Sequence, residues 1–372
     1  MSDKFSDTRL PRTAVLEMTY RCNHRCLFCS VPWDSPRNDY SRGDEMSLER
    51  WRDCVDSLVM RGVRSFSFSG GEPLLKEGLA DIIEYAASRK VKEPVLSVDG
   101  AQQGWTERNP RLFLVTNGEL IDDWWVSFLK RYDITVTVSL PGIESFPELT
   151  SGGNPNKVLE SLNILGRAGV KTAVGICVSR KNLPELFETI SLAFANGARF
   201  LLLNRFLPGG RGIDHQELCL DQDQIVQMLD IAEAACADAD LPGAVGTELP
   251  RCVLRKKYKK IKVGTCCSGG VNFFAVDPSG QVRPCNHSPV KLGAYQDIKS
   301  AIAGEYWQKF KRKDFLPSAC RGCRDSLRCD GGCREAAHIT GGSLDSLDPV
   351  FGGKVPDKST QTKVFCYNKS SK

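Results

Sequence analysis

Histidine is scarce in this chain: four occur in 372 residues, and none stands at ligand spacing to another, so no histidine-based metal site is evident. No stretch approaches eighteen apolar residues, and residues 1–12 are polar with no apolar core, so neither a membrane span nor a signal peptide is read. The formal net charge is only +5, and no nucleic-acid-binding signature appears, which argues against DNA or RNA as a partner. These absences leave a cytoplasmic globular protein. Its 41% hydrophobic and 26% charged residues force no disorder, and its length suits one large domain with a smaller one.

Cysteine is what the chain holds in excess. Sixteen occur, most at metal-ligand spacings, which without a secretion signal favours metal over disulfides. The densest signal is Cys22-Asn23-His24-Arg25-Cys26-Leu27-Phe28-Cys29, just after the apolar run Ala14-Val15-Leu16-Glu17-Met18. Three thiolates on one tight loop can hold three irons of a [4Fe-4S] cube and leave the fourth open, whereas a closed electron-transfer cluster takes four cysteines. Taken alone, the triplet also suits half of a zinc site or an ordinary ferredoxin loop.

Residues 14–212 alternate β-rich apolar runs with segments of helical period. Strands are expected at 14–18, 65–69, 112–116, 134–140, 172–178 and 200–204, and helices at 47–61, 78–89, 122–132, 157–168 and 184–196. The fold class is α/β, and six such units make a partial (β/α)6 TIM-like barrel. Ser47 reads as a helix N-cap. Residues 91–111 exceed what a connection needs and read as a small inserted hairpin.

In a βα barrel the reacting groups sit at the C-terminal ends of the strands. The loops there carry the cysteine triplet, Ser69-Gly70-Gly71-Glu72-Pro73, Thr116-Asn117-Gly118, Ser139-Leu140-Pro141-Gly142 and the glycine-rich run from Asn204 to Gly212. Gly70 and Gly71 would let backbone approach a ligand closely, and Glu72 offers a carboxylate to a cationic or amino group. Cys54, Cys177, Cys219 and Cys236 have no partner at ligand spacing and read as structural. His24 has no role in a three-cysteine site.

A strand, then C-x3-C-x2-C, then Gly70-Gly71-Glu72-Pro73 at the end of a second strand resembles the radical S-adenosylmethionine (SAM) enzymes. The resemblance implies that Cys22, Cys26 and Cys29 are the catalytic centre, holding a cluster whose open iron chelates the methionine amino and carboxylate groups of SAM. Reductive cleavage then gives a 5'-deoxyadenosyl radical. It further implies Ser69, Gly70, Gly71 and Glu72 at the methionine amino group, Ser139 at the methionine or ribose, and Phe28, Leu203 and Asn204 at the adenine. Asn117 serves a turn or the cofactor equally well.

The periodic pattern stops after residue 241. The chain accordingly divides into an N-terminal extension (1–13), the barrel (14–241), a basic linker (242–265) and a cysteine-rich domain (266–372). The linker's Arg251–Lys262 stretch carries seven bases and no acid, which reads as a solvated face or as a docking strip for an acidic peptide. Then come Cys266-Cys267, a hairpin around Asp277-Pro278-Ser279-Gly280, Cys285, the run Cys320-x2-Cys323-x5-Cys329-x3-Cys333, and Cys366. A zinc ribbon tolerates such spacings.

This order resembles the SPASM domain of radical SAM enzymes and implies two auxiliary [4Fe-4S] clusters, three clusters in all. The first would take Cys266, Cys267, Cys285 and Cys333, with Cys252 able to replace one of the adjacent pair. If only one of that pair binds, this cluster keeps an open iron. The second would take Cys320, Cys323, Cys329 and Cys366.

Enzymes of this composite type mostly modify ribosomally made peptides or proteins. The resemblance therefore implies an oxidising peptide maturase that forms a thioether or carbon–carbon crosslink, with the auxiliary clusters accepting the electron. Partners would be a precursor peptide and a reducing flavodoxin or ferredoxin. The few residues before the first strand leave no room for a fused leader-recognition domain, so a separate protein or the basic strip would hold the leader. Sulfatase-type formylglycine formation fits less well, because Asn286 stands where that branch has a carboxylate after the hairpin cysteine. Oxidation or decarboxylation of a tetrapyrrole or sugar is the small-molecule alternative.

Overall fold

The computed structural model describes residues 10–37, 40–97 and 102–352. Twelve strands are found among them: β1 (Thr13–Glu17), β2 (Ser65–Ser69), β3 (Val91–Leu96), β4 (Gln102–Arg108), β5 (Arg111–Thr116), β6 (Thr135–Ser139), β7 (Thr172–Val178), β8 (Phe200–Arg205), β9 (Gly243–Val245), β10 (Ile261–Val263), β11 (Phe273–Val276) and β12 (Val282–Arg283). Ten form one sheet in the order β10-β9-β8-β7-β6-β5-β2-β1-β11-β12. Its middle six, β1, β2, β5, β6, β7 and β8, are all parallel and follow the expected barrel order.

Strand β2, Ser-Phe-Ser-Phe-Ser, shows why this sheet has two different faces. Side chains alternate along a strand; Phe66 and Phe68 are fully buried, and the three serines are half-buried. Thr135, Thr137 and Ser139 of β6 repeat the pattern, with Val136 and Val138 buried between them. The aliphatic face meets the helices, as where a Cβ on Gly118 would touch Val138 and Val158 together. On β2 and β6 the opposite face is lined by small polar residues, which leaves room there inside the barrel.

The helices pack by amphipathic stripes. Leu48–Met60 buries Trp51, Cys54, Val55 and Leu58, and the Ser47 side chain accepts the Arg50 N–H at 3.3 Å as its cap. Helix Gln222–Asp238 opens on a reciprocal Asp221–Gln224 capping box. None of the described helices is long and apolar enough to cross a membrane.

Two segments differ from the expected layout. Residues 242–265 contribute β9 and β10, which extend the barrel sheet in parallel beyond β8. Four of the bases there face acids: Arg251 pairs with Asp325, Arg255 with Asp223, Lys256 with Asp230 and Lys260 with Asp240. Glu233 accepts the backbone N–H groups of Lys259, Lys260 and Ile261. The C-terminal hairpin joins the other edge of the same sheet, β11 lying parallel to β1 with Leu16 opposite Val276. The inserted hairpin is present as the separate antiparallel pair β3–β4, and Asp99-Gly100, where the sequence leads one to expect its turn, lie outside the described residues.

Candidate functional site

The cysteine loop leaves the C-terminal end of β1 and is held from three sides. The Arg25 and Leu27 N–H groups donate to Thr150 and Leu149 carbonyls at 3.3 and 2.9 Å. Arg211 Nη1 donates to the Cys26 carbonyl at 3.0 Å, its Nη2 to Asp34 at 2.6 Å, and Gly212 N–H to the Cys29 carbonyl at 3.1 Å. Gly210, at φ +51°, sits so close beneath the loop that a Cβ would lie 2.4 Å from the Val31 carbonyl oxygen. His24 turns inward, buried, with Nε2 3.2 Å from Glu119 Oε1 and its ring edge-on to Phe146. Neither Arg211 nor His24 was legible as a loop-holding residue, since each works through chain brought near only by folding.

The glycines of the second loop serve this arrangement. A Cβ on Gly71 would lie 2.1 Å from the Arg21 carbonyl oxygen, and one on Gly70, at φ +138°, 2.8 Å from that of Thr19. Their close approach is thus to the backbone entering the cysteine loop. Gly71 and Glu72 N–H groups donate to the Thr19 and Arg21 carbonyls, each at 2.8 Å. The Glu72 carboxylate is buried beneath. It accepts from Thr116 Oγ1 at 2.7 Å, Asn117 N–H at 2.8 Å and Leu74 N–H at 3.1 Å. Burial pushes its pKa up to about 7 against the pull of these hydrogen bonds. Asn117 Nδ2 in turn donates to Asn23 Oδ1 at 2.7 Å, tying the third strand's end to the cysteine loop.

The other expected SAM contacts divide by face. Ser69 and Ser139 end their strands and Asn204 lies one residue from the end of β8, all on the half-open inner face, and Ser139 stands opposite Gly175. Leu203 is fully buried on the other face, in the main core, so only its backbone is available to a ligand. Phe28 packs with Leu27 against Leu149, Phe206 and Leu218. Cys177 joins that cluster, and its thiol is raised to about 12 by burial and by the nearby Cys29. It lines the inner face near the cysteine loop, where the spacing alone read it as structural.

Two further thiol groups lie in the C-terminal part. Cys267, Cys285 and Cys333 face one another, each raised by burial and then by neighbouring charge; Glu248 is foremost for Cys267 and Cys333, and Glu335 for Cys285. The Cys333 N–H donates to Asp348 at 2.8 Å, and Asp348 accepts two hydrogen bonds from buried Arg205 at the end of β8. Cys320, Cys323 and Cys329 form the other group, and Arg251 and Gly331 N–H groups donate to Cys329 Sγ, both at 3.3 Å. The adjacent pair divides between the groups: Cys267 turns to Cys285 and Cys333, and Cys266 to Cys329 and Lys313. Cys366 lies outside the described residues.

His287 is buried with its ring against Gly209, and burial lowers its pKa to about 4, so the imidazole is neutral at physiological pH. Asn286 is exposed, its carbonyl accepting from Arg283 at 3.1 Å.

The donor sets fit iron–sulfur clusters. At the barrel mouth Cys26 is raised well above the usual thiol range, first by burial and then by Cys29 and Cys22. Clustered thiols in such a place become thiolates only against a compensating cationic centre. Among the described residues no group of three His, Cys, Asp or Glu converges on a single metal ion, and a four-iron cube needs its thiolates farther apart than one ion does.

Fold and thiol arrangement together define an enzyme that pairs an iron–sulfur loop with a partial βα barrel. Residues 16–193 match the family model of the radical SAM superfamily, so this part of the chain is a radical SAM domain, and a cysteine-rich part follows it. The family implies a [4Fe-4S] cluster and SAM. The chain is 25% identical over 355 residues to the PqqA peptide cyclase of Granulibacter bethesdensis, covering 91% of this chain and 87% of the relative. A second PqqA peptide cyclase, from Gluconobacter oxydans, is also 25% identical, with 91% and 90% covered. Among solved structures, Streptococcus suis SuiB bound to S-adenosylmethionine superposes with a TM-score of 0.67 at 17% identity, over 91% of this chain and 76% of that one. The enzyme anSMEcpe with AdoMet and the Cp18Cys peptide gives 0.65 at 19%, over 92% and 94%. These two share the fold.

Proposed function

We propose that this enzyme oxidatively modifies a ribosomally made peptide, forming a thioether or carbon–carbon crosslink or a related C–H oxidation product. Cys22, Cys26 and Cys29 would hold the SAM cluster. Cys267, Cys285 and Cys333 would hold a first auxiliary cluster, and Cys320, Cys323 and Cys329 a second. When bound, the first cluster with SAM would supply a 5'-deoxyadenosyl radical, and the auxiliary clusters an acceptor for the electron that the oxidised peptide gives up.

The observation that carries the reading is that β11 is hydrogen-bonded beside β1, so the hairpin leading to Cys285 is rigidly placed relative to the strand that feeds the cysteine loop. A radical generator and its electron outlet need such a fixed relationship. Likeness to peptide cyclases over nine-tenths of the chain supports the choice of substrate.

The chain's own residues have definable tasks. Arg211, Gly212 and the Phe146–Thr150 helix hold the cysteine loop. The small inner-face residues of β2, β6 and β7 leave space for cofactor and substrate, and Glu72 fixes the end of β5. We place the enzyme in the cytoplasm, reduced by a flavodoxin or ferredoxin. Because four bases of the 251–262 strip already face acids, a separate leader-recognition protein suits the peptide better than that strip.

The test is to incubate the reduced enzyme anaerobically with SAM and candidate precursor peptides, following 5'-deoxyadenosine and peptide mass. The reading predicts peptide-dependent deoxyadenosine and a mass loss of two hydrogens. Deoxyadenosine stimulated by a small metabolite and by no peptide would overturn it in favour of small-molecule oxidation. Conversion of a peptidyl cysteine or serine to formylglycine would instead favour the sulfatase-type reaction, which the exposed carboxamide of Asn286 disfavours.

A further inference from the structure

The second auxiliary thiol group has a neighbour that its own motif does not contain. Residues 251–253 form a short 3-10 turn after β9, and this turn is fastened to the loop of Cys320, Cys323 and Cys329. Arg251 N–H donates to Cys329 Sγ at 3.3 Å, and its Nε lies 3.2 Å from Asp325 Oδ1. Thr265 on the same passage of chain donates through Oγ1 to the Arg328 carbonyl at 2.6 Å and accepts the Asp330 N–H at 2.9 Å. The Cys252 thiol is therefore brought among three thiols from another part of the chain. After burial, the charges that act on it are those of Cys329, Cys320 and Cys323, in that order.

We propose that Cys252 is the fourth cysteine ligand of the cluster held by Cys320, Cys323 and Cys329. The proposal rests on the reading that this trio binds an iron–sulfur cluster. It moves Cys252 from the first auxiliary site, where the resemblance put it as a stand-in for Cys266 or Cys267, to the second. Cys266 is the rival from the described chain, and its charge acts on both Cys329 and Lys313. Four thiolates from two distant segments would close the cube and bind the turn after β9 to the cysteine-rich domain.

The test has two arms on the full-length holoenzyme. In the first, iron and sulfide content and the EPR spectrum of the reduced protein are measured for wild type, Cys252→Ala, Cys266→Ala and Cys366→Ala. The expected result is loss of one cube's iron and one EPR component in C252A, with C266A and C366A unchanged. The SAM-induced change in the signal of the N-terminal cluster reports that each variant is folded.

The second arm uses wild type alone, and so does not depend on a variant folding. Cys252 is exposed to solvent, so as a free thiol it would be alkylated by iodoacetamide at alkaline pH, where a raised thiol still ionises; as a ligand it stays protected, together with Cys320 and Cys323, until the clusters are oxidatively destroyed. Rapid alkylation of Cys252 in a protein carrying three cubes would overturn the proposal, as would full iron in C252A. Wild-type protein carrying only the N-terminal cube would instead overturn the underlying reading of the trio.

Discussion

Arg211 reaches across from the loop after β8 to the carbonyl oxygen of Cys26, 3.0 Å away, and so fixes the middle of the cysteine loop from outside it. Its second nitrogen is held by Asp34, which also accepts from Arg42 at 2.5 Å. Replacing Arg211 with Ala removes two charge-assisted hydrogen bonds from a partly exposed position, a loss on the order of 1–3 kcal/mol in local loop order. The expected outcome is reduced iron retention at the N-terminal cluster and slower SAM cleavage, with the auxiliary signals unchanged. Iron retention equal to wild type under mild chelation would show that the loop holds itself.

The three cysteine groups should separate by function. Cys26→Ala is expected to abolish SAM cleavage outright. Cys323→Ala should retain cleavage to 5'-deoxyadenosine yet lose net peptide product, because the electron has no outlet. Quantifying deoxyadenosine and modified peptide in one reaction checks both, and cleavage by C26A at the wild-type rate would refute the scheme.

Glu72 makes a pH prediction. Its pKa is raised from 4.5 to about 7, so the folded state binds a proton that the unfolded state releases over that window. Stability from this group is full below about pH 4.5 and is lost as pH rises toward 7, by about 3 kcal/mol for a shift of this size. Glu72→Gln cannot titrate and should lack this slope, although its amide faces N–H donors and lowers stability overall. Denaturation midpoints of wild type and E72Q between pH 5 and 8 would check it; parallel curves would show that Glu72 does not titrate there.

Glu17 and Arg283 form a buried ion pair between β1 and β12. Arg283 also donates to the Ser288 carbonyl at 2.7 Å and lies over the rings of Trp33 and Tyr40. Arg283→Met strands a carboxylate in the interior, costing about 3–5 kcal/mol. The double variant Glu17→Gln/Arg283→Met should recover a large part of that loss. A double variant no more stable than the single one would locate the cost in the lost carbonyl contacts.

Much of this molecule could be read before folding, for reasons visible in particular residues. The alternation Ser-Phe-Ser-Phe-Ser from Ser65 to Ser69 can satisfy only a strand with one aliphatic and one small polar face. Ser47 caps its helix because its side chain reaches a backbone N–H three residues on. The inserted hairpin was legible from its length and turn residues. Residues 242–265 were not legible as part of the sheet, because β9 and β10 are only three residues each, too short for a periodic signal, and the charges between them imitate a linker.

Local spacing was enough to mark the thiol groups, since three cysteines within eight residues or four within fourteen are neighbours in any fold that keeps their loops tight. Which distant groups meet them is a different matter. The division of Cys266 from Cys267, the arrival of Cys252 beside Cys329, and the support of Cys26 by Arg211 all depend on how the chain returns across tens or hundreds of residues. That return is governed by strand pairing and core burial, chiefly of β11 against β1 and of β9 against β8, and these long-range contacts leave no mark in the spacing of the residues they bring together.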